Sequence, residues 1–190
     1  MTKAELRKLY LEKRRSLSAV EISKASKEIA DKFIAHVDLS RVKSLSTFIR
    51  IAKFGEVDTS TIYYRIWKES AWIRTFAPRI DIQKGNIQNI AVFPDTPFVE
   101  NRWGVREPMG EDAIEPSHLD LVIVPLLAVD KTGHRVGYGK GFYDRLLKSC
   151  RAGCLKVGVN YFPPDEAIVD VGDHDVALDM CVTPDGVFNF

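Results

Sequence analysis

At 190 residues the chain has material for one substantial core and too little for two ordinary domains. Hydrophobic content of 45% beside 28% charged residues excludes a disordered chain. A net charge of +1 offers no bulk basic field for nucleic acid or an anionic membrane, so any anion site must be local.

From the N-terminus, Thr2-Lys-Ala-Glu5 reads as a capping box, with Thr2 accepting from the first turn and Glu5 reaching back. The helix it opens carries Leu6, Leu9 and Tyr10 on one face. Lys3, Arg7 and Arg14 fall at helical spacing on another, where a solvated charged face is the ordinary outcome. Ser18-Ala-Val-Glu21 repeats the capping signature, and Ile22, Ala25, Ile29 and Phe33 mark the stripe of a second helix. The link between them is short, which predicts a helical hairpin.

The period then changes to that of a strand at Leu45, Thr47 and Ile49. A third helix is predicted from about Thr59, with Ile62, Tyr63, Ile66 and Trp67. Short strands follow at Ile73 to Ala77, Ile90 to Phe93, Leu121 to Val124 and Leu155 to Val159. Pro94 to Gly110, rich in proline, glycine and aromatics, predicts surface loops. After Gly141 a fourth helix carries Tyr143, Leu146, Leu147 and Cys150 at i, i+3, i+4 and i+7. Helices alternate with strands, and Leu121-Val-Ile-Val124 is apolar throughout, as in a strand covered on both faces. The fold class expected is α/β: a Rossmann-like three-layer α/β/α sandwich with a mostly parallel sheet, in one domain over residues 1–190.

Cys150, Cys154 and Cys181 form neither a C-x-x-C pair nor an even disulfide set, so they read as reduced thiols. The N-terminus lacks a secretory apolar stretch, and Leu121 to Val129 is far short of the ~20 residues a membrane span needs. A cytoplasmic monomer with no membrane or nucleic-acid partner is the expectation.

The chemistry concentrates where a strand gives way to Gly133, Gly137, Gly139 and Gly141 and then at once to a helix. Glycine lets the backbone take positive φ and lets N–H groups approach phosphate oxygens. The helix start adds unpaired N–H groups and partial positive charge. Arg135 and Lys140 contribute two cations. Asp144, in the first turn, can face phosphates only across a bridging cation, which points to Mg²⁺. The segment matches neither GxxxxGK[ST] nor GxGxxG. It reads as a phosphate cradle, with a structural glycine turn or a single-strand stacking surface as alternatives.

Gly133-His-Arg-Val-Gly-Tyr-Gly-Lys-Gly-Phe-Tyr-Asp-Arg145 closely resembles the signature of the 5-formyltetrahydrofolate cyclo-ligases, or methenyltetrahydrofolate synthetases. The basic helix from Lys3 to Arg15, the segment from Phe48 to Thr59, Trp103-Gly-Val-Arg-Glu-Pro108, His174 to Asp179 and Val182-Thr-Pro184 follow in that family's order. The resemblance implies closure of 5-formyltetrahydrofolate to 5,10-methenyltetrahydrofolate with ATP and Mg²⁺, releasing ADP and phosphate. It implies ATP contacts from Lys3, Arg7, Arg135, Val136, Gly137, Tyr138, Gly139, Lys140, Gly141, Phe142 and Tyr143. Folate contacts are implied for Ile51 and Glu56 with Tyr138, Gly139, Lys140, Gly141 and Phe142, and Mg²⁺ ligands for Asp144 and Asp175. Arg135, Lys140 and Tyr143 are the residues expected at the reacting groups. Trp103 offers a flat surface for a pteridine, or a core position. The resemblance departs at Lys140, where many bacterial members carry glycine. His174 beside Asp175 is read as structural. An α/β sugar-phosphate isomerase or a CoA-transferase-like enzyme would share the layout without needing ATP.

Overall fold

The structure, a computed structural model, describes residues 1–81, 85–101 and 104–190. Both capping boxes form. Thr2 Oγ1 accepts from the Glu5 N–H at 3.3 Å and the Glu5 carboxylate accepts from the Thr2 N–H at 2.8 Å, opening α1, Lys3–Arg15. Ser18 and Glu21 do the same for α2, Ala19–His36. Each cap is worth about 0.5–2 kcal/mol, because a helix start otherwise leaves amides unpaired.

The short link does not make these helices partners, contrary to the predicted hairpin. Leu6 and Tyr10 of α1 pack with Leu127, Ala128 and Val136. Ile29 and Phe33 of α2 pack instead with Leu45, Leu121 and Ile123. Nor is the charged face of α1 wholly solvated, since Arg14 is buried.

Strand β1 is only Ser44–Ser46. Thr47 still donates its N–H to Phe76 at 2.9 Å, but the Phe48 carbonyl accepts from the Thr59 hydroxyl at 2.6 Å and the chain leaves the sheet. A 3-10 turn, Ala52–Phe54, and α3, Ser60–Glu69, follow. Strand β2, Arg74–Asp81, runs parallel to β1, whereas β3, Asn86–Val92, returns antiparallel to β2.

The stretch Pro94 to Gly110 is not all loop. It holds a hairpin of β4, Phe98–Glu100, and β5, Arg106–Pro108. The hairpin is tied to β2 where the Glu107 carboxylate accepts from the Ile80 N–H at 3.0 Å. Three-residue strands are too short for a hydrophobic period to register.

The remaining elements are β6 (Ala113–Ile114), β7 (Leu121–Pro125), β8 (Ala128–Val129), β9 (Arg135–Val136), α4 (Phe142–Ser149), β10 (Leu155–Val159), β11 (Met180–Val182) and β12 (Val187–Asn189). The main sheet runs β12-β11-β10-β7-β1-β2-β3-β6, parallel from β11 through β2 with antiparallel edges. Along β7, Leu121 and Ile123 face α2 and α3, while Val122 and Val124 face α4. That two-sided burial explains the unbroken apolar run. No helix among the described residues is long and apolar enough to cross a membrane.

Beyond β7 the chain turns on Asp130, which is 1% exposed. One carboxylate oxygen accepts from the Thr132 N–H (2.9 Å), the Thr132 hydroxyl (2.7 Å) and the His134 N–H (3.0 Å). The other accepts from the Ile168 N–H at 3.1 Å. Gly133, at φ +83°, completes the turn, where a Cβ would lie 2.7 Å from the Leu178 carbonyl oxygen. Burial pushes the Asp130 carboxyl up, but these bonds outweigh it and leave it below the ordinary carboxylate range.

A carboxyl depressed in the folded state contributes stability that is complete above its unfolded value, about 3.9, and lost as pH falls through the folded value. Asp130→Asn sets an amide donor against a backbone donor. It is expected to lower unfolding free energy by about 1–3 kcal/mol and to flatten the acid limb below about pH 4. Urea unfolding across the acid range checks this. An acid limb identical in both proteins would contradict it.

Candidate active site

The turn at Asp130 delivers the β8–β9 hairpin, and β9 aims Arg135 inward at the C-terminal end of the parallel strands, where α/β sheets bind ligands. The Arg135 side chain is 5% exposed and donates to Asp144 Oδ1 at 2.7 Å and to the Val176 carbonyl. Desolvation lowers its pKa, while Asp144 and then Asp175 oppose the shift. Asp175 pairs with Lys3 Nζ and accepts from the Gly172 N–H at 2.6 Å. Burial raises the Asp175 carboxyl, but Lys3, Gly172 and Arg135 leave it lowered overall. The two carboxylates expected to hold a metal thus meet around one guanidinium.

After Val136, which is fully buried, the loop opens. The Gly137 carbonyl accepts from Arg7 Nε at 2.9 Å. Gly139 (φ +84°) and Gly141 (φ +67°) take the left-handed conformation that side chains resist. At Gly139 an added Cβ would also come within 3.3 Å of the Arg7 guanidinium. Gly141 caps α4 with no side-chain bond to the first-turn amides. Lys140 is exposed beside them, its carbonyl taken by Arg145 at 3.2 Å. Lys3, Arg7, Arg135, Lys140 and the α4 N-terminus therefore border one loop of alternating glycines, an arrangement matched to a polyanion.

The same loop borders a second, differently built group of side chains. The Tyr138 ring lies 5.2 Å from the Phe54 ring, and its hydroxyl accepts from Arg14 at 3.4 Å. Behind them Glu56, 3% exposed, accepts from the Ile51 N–H at 2.7 Å. Burial raises the Glu56 carboxyl, and Ile51, Tyr138, Arg14 and Arg50 oppose that rise. Burial, with Glu56 next, raises the Tyr138 phenol. The phenol of half-buried Tyr143, one residue past Phe142 in α4, is also raised by burial first and Glu56 second. A flat apolar wall backed by a carboxylate suits a heteroaromatic ring bearing N–H donors.

Trp103 lies outside the described residues. Its neighbour Gly104 approaches the Ile51–Glu56 loop, and a Cβ there would sit 3.1 Å from Lys53 Nζ. His174 is exposed and meets Lys148 Nζ at 3.2 Å, apart from these contacts. Sequence reasoning missed Phe54, Arg14 and Asn160. Phe54 stood inside a segment already singled out, and Asn160 directly follows β10 at the ligand-facing end of the sheet.

A profile of the 5-formyltetrahydrofolate cyclo-ligase family matches residues 1–184. The chain belongs to the 5-formyltetrahydrofolate cyclo-ligase family. It is 32% identical over 160 residues to the 5-formyltetrahydrofolate cyclo-ligase of Mus musculus, covering 78% of this chain and 74% of that one. Identity to the Escherichia coli K12 enzyme of that name is 27% over 185 residues, covering 94% and 98%. Among solved structures, the 5,10-methenyltetrahydrofolate synthetase of Aquifex aeolicus superimposes with TM-score 0.78 at 30% identity, covering 100% of this chain and 93% of that one. The synthetase of Mycoplasma pneumoniae superimposes with TM-score 0.76 at 26% identity, covering 97% and 99%. The signature from Gly133 to Arg145 and the other family-like segments all fall inside the matched residues. Membership makes the chain a ligase-type enzyme of folate chemistry.

Proposed function

We propose that the chain cyclises 5-formyltetrahydrofolate to 5,10-methenyltetrahydrofolate, consuming ATP with Mg²⁺ and releasing ADP and phosphate. One observation carries this reading beyond family membership. The loop from Tyr138 to Phe142 borders both the cationic cradle and the aromatic cluster of Tyr138 and Phe54, so one segment can bring a phosphoryl donor and a ring system to the same point.

In this reaction the formyl oxygen on N5 attacks the γ-phosphorus and ADP leaves, giving a phosphorylated N5-iminium. N10 adds to the activated carbon and loses its proton. Phosphate then departs as the methenyl bridge forms. Arg135 and Lys140, with the amides of Gly139 to Phe142, offset charge on the transferring group. Tyr143, a neutral phenol at neutral pH, serves as a hydrogen-bond donor beside it. Lys3 and Arg7 orient the remaining phosphates. Phe54 and Tyr138 receive the pteridine face, with Glu56 and Ile51 at its edge.

Asp144 and Asp175 are hard oxygen donors of the kind Mg²⁺ takes and would hold it beside the loop. Bound there, the metal would supply charge neutralisation. No covalent enzyme intermediate is required.

The test mixes protein, Mg-ATP and 5-formyltetrahydrofolate and follows near-ultraviolet absorbance of the methenyl product. Absorbance is expected to rise only when all three are present. Folded protein that forms no product would sink the proposal.

A further inference from the structure

Helical spacing puts Arg14 on a charged face that is ordinarily solvated, yet it is 3% exposed. Its position follows from helix geometry, since Lys3, Arg7 and Arg14 recur at i, i+4 and i+11 on one face of α1. That face looks onto the site. Lys3 reaches Asp175, Arg7 the Gly137 carbonyl, and Arg14 the Tyr138 hydroxyl.

The Arg14 guanidinium also donates to the Leu126 carbonyl just past β7 and, at 3.2 Å, to the Asn160 side chain just past β10. Asn160 is itself fully buried and donates to the Phe162 carbonyl at 3.1 Å. Arg14 therefore ties two strand ends to the shared loop. Its Nε has no hydrogen-bond partner among the described residues. A buried cation is costly unless its charge is compensated, and buried Glu56 lies within its Coulombic reach.

We propose that Arg14 is a positioning residue for the folate-binding side chains Tyr138 and Glu56. Its guanidinium fixes the Tyr138 hydroxyl against the sheet ends and supplies the counter-charge that lets the buried Glu56 carboxylate face a ligand N–H group. The inference rests on Glu56 contacting folate. The groups facing Glu56 are Arg14 from α1, Arg50 with its partner Asp58 after β1, Tyr138 from the glycine loop and Tyr143 from α4. Of the two cations, Arg50 is shared with Asp58 at 3.3 Å and is a third exposed, so Arg14 is the buried one.

The sign of the effect is fixed by burial. Without Arg14 the desolvated carboxyl of Glu56 rises further, so its charged form is reached only at higher pH. Arg14→Met should therefore raise KM for 5-formyltetrahydrofolate on the order of 10-fold at neutral pH, leave KM for ATP within about twofold, and recover as pH rises. Binding of 5-formyltetrahydrofolate without ATP, read by quenching of protein fluorescence, should follow the same pH curve. Arg14→Lys keeps the charge but not the fork, so it should raise only the folate KM and retain the unmodified pH profile. In a Glu56→Gln background the pH-dependent part of the Arg14→Met effect should vanish, leaving only the part that acts through Tyr138.

A pH-independent loss in Arg14→Met, or equal losses for both substrates in Arg14→Lys, would overturn the proposal. The second criterion holds even if Arg14→Met does not fold. Glu56→Gln alone separates the two ideas. If it leaves the folate KM unchanged, the folate reading of Glu56 falls and takes this inference with it. A selective effect of Glu56→Gln, with none of Arg14→Lys, removes the inference alone.

Discussion

Arg135→Ala is expected to cut turnover by on the order of 10²- to 10³-fold, the cost of deleting a preorganised group aimed at developing charge. Arg135 is the most enclosed cation of the cradle, with its side chain 5% exposed and both ends of its fork engaged, on Asp144 and on the Val176 carbonyl. A lysine there is a point charge that cannot span both partners, so Arg135→Lys should recover only a small part of the loss. Because Asp144 is 28% exposed it can rehydrate, and the stability cost of Arg135→Ala should stay near about 1–3 kcal/mol. Lys140 offers the contrast. It is exposed on the loop, and Lys140→Gly should be mild. Steady-state rates for the three variants, with thermal unfolding alongside, check the ranking. A severe Lys140→Gly defect beside a mild Arg135→Ala defect would mean the roles are reversed.

What the sequence made legible follows the range of the forces involved. The two capping boxes are local hydrogen-bonding devices four residues long, and both form as written at Thr2–Glu5 and Ser18–Glu21. The apolar run from Leu121 to Val124 reports its own two-sided burial. The glycine spacing before α4 announced positive φ, and Gly139 and Gly141 adopt it. What failed depended on distant partners. A short link between α1 and α2 says nothing of where each apolar stripe is buried, and the two go to different clusters. Period alone cannot tell that β3 returns antiparallel on β2, nor that three-residue strands pair between Pro94 and Gly110. Arg14 looked like surface because charge on a helix usually is. Only the convergence of Leu126, Tyr138 and Asn160 makes that position interior. For the site, the family resemblance alone implies the residues, while the ion pairs that bring Lys3, Asp175, Arg135 and Asp144 together are long-range facts of the fold.

Those ion pairs sharpen the expectation for Asp144→Asn and Asp175→Asn. Each carboxylate is engaged with a cation, Asp144 with Arg135 and Asp175 with Lys3. Substitution therefore has a structural consequence whatever else the carboxylates do. Removing Asp144 charge strands a buried guanidinium, and breaking such a pair costs up to about 3–5 kcal/mol. Asp175 and Lys3 are both about a fifth exposed, so that pair contributes far less. A purely structural role thus predicts a drop in thermal stability, larger for Asp144→Asn, with the Mg²⁺ requirement unchanged in the protein that remains folded. A shared metal site predicts something else. Asparagine preserves shape but removes charge, so each variant should need more Mg²⁺ for half-maximal rate and lose turnover by on the order of 10²-fold or more. The double variant should then be little worse in rate than either single one, because both act through one ion. Stability should fall less than additively, since Asp175 also acts on Arg135. Measuring the Mg²⁺ dependence and the unfolding temperature of all four proteins separates the outcomes. An unaltered Mg²⁺ response in both single variants, at temperatures where they are folded, would leave Asp144 and Asp175 as partners of Arg135 and Lys3 and nothing more.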